Sequence, residues 1–176
     1  TIVSVLAATI AVANEAQVAI MVPTEILARQ HFESFKKHSE NAHMTCALLV
    51  GGTPAKERKN ILNALEKGQI NIIIGTHALI QKDIIFRSLG FCIIDEQHRF
   101  GVSQRNELIS KGSNPHLLAM TATPIPRTLA ITYHGDMDLS IIDEMPKNRI
   151  PVVTKVVNEP RIKKVYQFMT DEVSKE

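Results

Sequence analysis

Several short runs in this chain are apolar almost without a break: QVAIMV at 17–22, INIIIG at 70–75 and FCII at 91–94. A strand with one face in water alternates apolar and polar residues, whereas a strand covered on both faces is apolar throughout. Runs of the second kind, separated by helical segments, restrict the chain to a mainly parallel sheet with helices on both faces. A β/α barrel buries its strands in the same way, but 176 residues are few for eight such units. The intervening segments complete the alternation. A helix is predicted over 24–38, a strand at 44–50 (MTCALLV), and a helix framed by Thr53 as N-cap, Pro54 in the first helical position and Gly68 as its stop. Ile61, Leu62 and Leu65 give that helix an apolar stripe. A helix at 102–111 closed by Gly112, a strand at 116–120 (HLLAM) and a helix near 126–133 follow. The expected fold class is α/β, doubly wound.

Composition excludes several alternatives. Hydrophobic residues make up 44% and charged residues 22%, the balance of a globular protein, and no apolar run has the length of a membrane span. Twenty basic residues against 18 acidic ones leave +2, too little to infer a nucleic-acid partner from charge. Lys56, Arg58 and Lys59, and the group Arg161, Lys163 and Lys164, read as solvated helix faces. Cys46 and Cys92 sit in apolar runs and are expected to be reduced, buried thiols, as in a cytosolic protein.

The organisation changes along the chain. TIVSVLAATIAVANE reads as a helix from its first residue, with no initiator methionine and no signal-peptide layout, so the chain is expected to be a piece of a longer one. Residues 1–143 form the expected first domain. A polar stretch at 144–151 between Pro146 and Pro151 reads as a linker. A strand at 152–157 and an amphipathic helix carrying Ile162, Val165, Tyr166, Met169 and Val173 are expected to begin a second domain.

Four polar loops follow apolar strands, and in an open parallel sheet ligands bind beyond the carboxyl ends of the strands. The loops read VPTEILARQH (22–31), GTHALIQ (75–81), DEQHRFGVSQR (95–105) and MTATPIPRTLA (120–130). Asp95 and Glu96 at a strand end are the acid pair that a nucleoside triphosphatase uses to hold a metal and orient a water. Taken alone, they read first as a turn-capping Asp95 and a solvated Glu96. Pro23 and Thr24 open a helix whose first N–H groups suit a phosphate. The phosphate-cradling pattern G-x-x-x-x-G-K-[ST] does not occur, although Thr1 followed by an apolar helix is what would remain after its lysine.

In order and spacing, these loops resemble the first motor lobe of the superfamily-2 helicases. More narrowly, DEQH with HRFGVSQR and TATPIPRTLA is similar to the RecG family of bacterial ATP-dependent DNA helicases, over residues 1 to about 157. The resemblance implies a RecA-like P-loop NTPase lobe that uses ATP and Mg²⁺, acts on branched or single-stranded DNA, and works in the bacterial cytoplasm. It implies Thr1 and Asp95 near Mg²⁺, Glu96 activating water, and Gln97 and His98 linking the nucleotide side to the DNA side. It also implies Pro23, Thr24, Gly51, Gly52 and Thr76 on the phosphates of one strand, and Thr121, Ala122 and Thr123 coupling hydrolysis to movement. The family's P-loop glycines and lysine, its second lobe with an arginine finger and its wedge domain are not in this sequence. The isolated chain is therefore expected to fold without hydrolysing ATP. The transcription-repair coupling translocases share the TATPIPRTL-type motif but have a Glu-Glu-Gln-Arg flavour in the acid motif. Their motor lobe, or a non-catalytic nucleic-acid-binding module, is the alternative.

Overall fold

The computed structural model of the chain describes residues 1–39, 44–123, 137–144 and 152–174. The first strand, β1 (Gln17–Met21), is buried at every position, as its unbroken apolar run demands. Around it lie β2 (Cys46–Leu49), β3 (Ile72–Gly75), β4 (Leu89–Asp95) and β5 (His116–Met120). All neighbours pair in parallel, in the order β2-β3-β1-β4-β5. Burial falls off outwards. β3 is buried throughout, whereas the edge strands β2 and β5 are mostly half-buried.

Successive residues of β1 feed opposite layers, because side chains alternate across a strand. Val18, Ile20 and Val22 meet Val5 and Ala8 of helix α1 (Ile2–Ala13) and Ala28 and Phe35 of α2 (Glu25–Ser39). Ala19 and Met21 belong to the opposite layer, with Leu65 of α3 (Ala55–Glu66) and Leu108 of α4 (Val102–Ile109). The doubly wound α/β architecture expected from the apolar runs is present. The core covers only one side of α1, and Ile2, Leu6 and Ile10 form an exposed stripe along it.

Local signals set several boundaries. Gly68 stops α3 in the left-handed conformation (φ 73°). Its N–H donates to Leu65 O at 3.0 Å and Gln69 N–H donates to Ala64 O at 2.9 Å, the paired bonds of a Schellman end. Gly75 is required for a different reason: a Cβ there would collide with the Leu49 carbonyl of β2. The expected cap of α3 is corrected. Pro54, not Thr53, precedes the helix, and the Thr53 hydroxyl instead accepts a bond from Val50 N–H at 3.1 Å. Extended backbone at Pro54 (ψ 142°) carries Thr53 too far from the first turn to cap it. Arg58 is also not simply solvated. Its Nη2 donates to both Asp83 carboxylate oxygens at 2.8 and 2.9 Å and to Gln81 Oε1 at 2.7 Å.

The chain divides into two units, Thr1–Pro126 and Arg127–Glu176. In the second, a 3₁₀ turn (Glu159–Arg161) leads into helix α5 (Ile162–Val173), as its apolar spacing predicts. The strand expected at 152–157 does not form. Val152, Val153 and Val156 are strongly exposed, and β-branched residues make a strand only where a neighbouring strand completes the ladder. The helix expected near 126–133 and residues 145–151 of the expected linker lie outside the described residues.

One buried side chain braces the amino edge of the sheet. Gln17 is 2% exposed. Its Nε2 donates to Leu65 O and Ile70 O at 2.8 and 2.9 Å, and its Oε1 accepts from the N–H groups of Arg87 and Ser88 at 2.8 and 2.9 Å. Every hydrogen-bonding site of the amide is used, and the end of α3, the α3–β3 connection and the segment before β4 are tied to β1. Gln17→Leu preserves size but strips a partner from four backbone groups, of which only Leu65 O keeps another among the described residues, Gly68 N–H, and each buried group left unpaired costs about 1–3 kcal/mol. Urea unfolding should show a loss of about 3 kcal/mol or more. A loss below about 1 kcal/mol would remove the brace from this account.

Candidate functional site

Parallel pairing brings the strand ends level. Met21 lies opposite Gly75 and Ile94, Leu49 opposite Gly75, and Asp95 opposite Met120. The five loops that leave these ends therefore line one edge. They include Pro23 and Thr24 after β1, Gly51 and Gly52 after β2, Thr76 after β3, Asp95 to His98 after β4, and Thr121, Ala122 and Thr123 after β5. β1 and β4 are neighbours although distant in sequence, and strand order reverses between them, the crevice position favoured for ligands in open α/β sheets.

The acids are held by specific bonds. Asp95 Oδ1 accepts the N–H of Glu96 at 2.9 Å, and Asp95 Oδ2 lies 2.8 Å from Nε2 of His31 on α2. The hydrogen bond from His31 holds the Asp95 carboxyl below its ordinary pKa of 3.8, against the opposing effect of burial. The Glu96 N–H acts in the same direction. Asp95 is thus a carboxylate at neutral pH.

Glu96 is left-handed, with φ 50° and ψ 49°. For a residue with a Cβ this conformation costs about 1–2 kcal/mol. The turn ends β4 abruptly and sends the chain into a 3₁₀ turn (Gln97–Arg99). The Glu96 carboxylate accepts from the Thr121 hydroxyl at 3.3 Å and lies 3.4 Å from His98 Nδ1. The Thr121 and Thr123 hydroxyls share a 2.7 Å bond, and Thr123 N–H donates to Thr121 Oγ1 at 3.2 Å. Glu96, His98, Thr121 and Thr123 thus form one connected group at the ends of β4 and β5. Gln97 turns inward, 8% exposed, and accepts from Arg105 Nη1 of α4 at 3.4 Å. Ala122 is exposed between the two threonines.

The other half of the edge is built differently. Thr24 Oγ1 accepts from Leu27 N–H at 3.3 Å and caps α2, while Thr76 is buried behind its loop. Gly51 would meet nothing within 4 Å if it carried a Cβ, and Gly52 only Glu25 Oε2 at 3.9 Å. Neither has a positive φ. Packing within the chain does not require glycine at either position, and the bare backbone leaves the approach from solvent open.

His31 was not singled out by the sequence reading, although it closes the VPTEILARQH stretch. Its signal is positional. Helical spacing from buried Ala28 to buried Phe35 puts His31 on the core face, where a histidine needs a partner.

The family model described as DEAD/DEAH box helicase matches residues 1–131. The chain is 51% identical to the ATP-dependent DNA helicase RecG of Streptococcus pneumoniae over 99% of its own length and 26% of that protein's. It is 46% identical to RecG of Aquifex aeolicus, over 99% of itself and 22% of that protein. It thus spans about a quarter of the length of these relatives. The solved structure of RecG bound to a three-way DNA junction superposes with a TM-score of 0.71 at 45% identity, over 91% of this chain and 21% of that one. The helicase MrfA bound to DNA and AMPPNP, at 18% identity and TM-score 0.59, shares the fold. Among the described residues no helix is long and apolar enough to cross a membrane. The chain belongs to the DEAD/DEAH box helicase family, and its strong similarity over nearly its whole length is to a segment of RecG, an ATP-dependent DNA helicase.

Proposed function

We propose that this chain is the first motor lobe of a RecG-type helicase that uses ATP hydrolysis to remodel branched DNA in the bacterial cytoplasm. The observation that carries the reading is the connected group of Glu96, Thr121 and Thr123, which joins the acid pair to the loop after β5. RecG similarity over the same residues supports it. The edge fits a magnesium nucleotide. Asp95 is a charged oxygen donor whose position is fixed from two sides. Bound Mg²⁺ would neutralise phosphate charge, with Asp95 and Thr1 as its residues here. Glu96 accepts a proton from the attacking water, and Gln97 and His98 connect it to the DNA side. Thr121, Ala122 and Thr123 sense the state of Glu96 and transmit it. Thr24, Gly51 and Gly52 hold the phosphates of one DNA strand through N–H groups and a hydroxyl, while Pro23 shapes the entry to α2 and the buried Thr76 supports the loop after β3. That mode needs no large basic surface and agrees with the small net charge of +2.

Three measurements on the full-length protein test these roles. Glu96→Gln removes the base but keeps size and polarity. ATP hydrolysis should fall by about 10²–10⁴ while nucleotide affinity stays within about twofold. Equal loss of binding and turnover would place Glu96 in binding instead. Thr121→Ala with Thr123→Ala should depress unwinding of a branched substrate more than ATP hydrolysis, and parallel loss of both would remove the coupling role. Gly51→Val fills space that the chain leaves open, so stability should change by less than about 0.5 kcal/mol in a thermal melt. Its affinity for single-stranded DNA should drop, and unchanged affinity would take Gly51 out of the DNA path.

A further inference from the structure

The contact between His31 and Asp95 spans two parts of the site that the proposed function treats separately. Thr24 caps the start of α2 at the loop assigned to DNA phosphates. His31 lies seven positions further along the same helix, about 10 Å along its axis at 1.5 Å per residue. Between them Ala28 is fully buried against the sheet, so this stretch of helix is clamped to the core. At its far end His31 Nε2 meets Asp95 Oδ2 at 2.8 Å, across 64 positions of sequence.

The chemistry of this contact has one solution. An ionised carboxylate can only accept, so the hydrogen is on Nε2. Nδ1 is buried and has no hydrogen-bond partner among the described residues. The ring is therefore oriented by one polar bond, together with its tilted packing on Phe35 at a centroid distance of 6.4 Å. A buried imidazole with one nitrogen unused is costly to maintain for packing alone. The Asp95 carboxylate is also fixed from both sides, one oxygen by Glu96 N–H and the other by α2.

We propose that His31 is a positioning residue that couples the DNA-facing start of α2 to the Asp95 carboxylate. A phosphate drawn onto Thr24 shifts or stiffens α2, and the clamped helix delivers that change to Asp95 Oδ2 through Nε2–H. Linkage makes the effect reciprocal: nucleotide held at Asp95 alters the affinity of the α2 start for DNA by the same factor. The coupling rests on the helicase reading above, whereas the bond itself does not.

Two arms separate these dependencies. In the full-length protein carrying this segment, the affinity of a non-hydrolysable ATP analogue with Mg²⁺ is measured with and without a single-stranded oligonucleotide. Wild type should show a DNA-dependent change of about 5–150-fold, the usual range of coupling between sites. His31→Leu keeps bulk and loses the donor, so the change should shrink to under about twofold on the same scale. His31→Gln places an amide N–H near the position of Nε2 and should recover most of the change. His31→Asn carries the same amide at too short a reach, should behave like leucine, and serves in its place if the leucine variant does not fold. A leucine or asparagine variant with the wild-type factor, or a glutamine variant no better than asparagine, overturns the proposal. In the second arm, proton–nitrogen NMR of the 176-residue chain should show a slowly exchanging His31 Nε2–H that disappears in Asp95→Ala. An unprotonated Nε2 overturns the bond and the proposal together. If that resonance is present but DNA leaves analogue affinity unchanged in the wild type, the helicase reading fails and takes the coupling with it.

Discussion

Parallel pairing on both sides of β1 is the constraint on which the rest of this structure depends. Because β3 and β4 flank β1 in the same direction, and β2 and β5 continue outwards from them, five strands deliver their carboxyl ends to a single edge. No loop then has to reach for its place. The cost of this arrangement lies in the centre, where β1 gives up all contact with water and must be apolar on both faces. Gln17 is the exception that fits the rule. It is polar and buried, and all four of its amide positions are occupied by backbone groups from the connections around it.

At the opposite end of the sheet the same rigidity supports strain and charge. Glu96 holds a left-handed backbone, tolerable because β4 pins Asp95 on one side and a 3₁₀ turn follows on the other. Asp95 stays ionised although half-buried because a hydrogen bond from His31 outweighs the cost of burial. The edge thus presents one acid fixed by its neighbours and one acid bonded to the hydroxyls of the loop after β5.

The core and the site differ in how far they could be read in advance. The runs QVAIM and IIIG identify buried strands because period and composition are local properties, and helix ends such as Gly68 announce themselves through backbone conformation. Thr53 and the 152–157 segment show the limit of local reasoning. A threonine before a proline has a choice of partners, and a β-branched run is a strand only if another strand lies beside it. His31, Gln17 and Arg105 were invisible as functional or bracing residues because their partners lie 64, 48 to 71 and 8 positions away, at distances that only packing defines.

By itself the sequence determined the α/β class and the family, and it singled out the polar loops at the strand ends, since each is written in short patterns of apolar spacing and residue type. The tertiary structure alone decided which loops are neighbours. It placed α2 against Asp95, Thr121 against Glu96, and Gly51 and Gly52 beside open space. The physical reason is that hydrogen bonds and charge effects depend on separations of a few ångströms, and sequence distance carries no information about these until the strands have chosen their order.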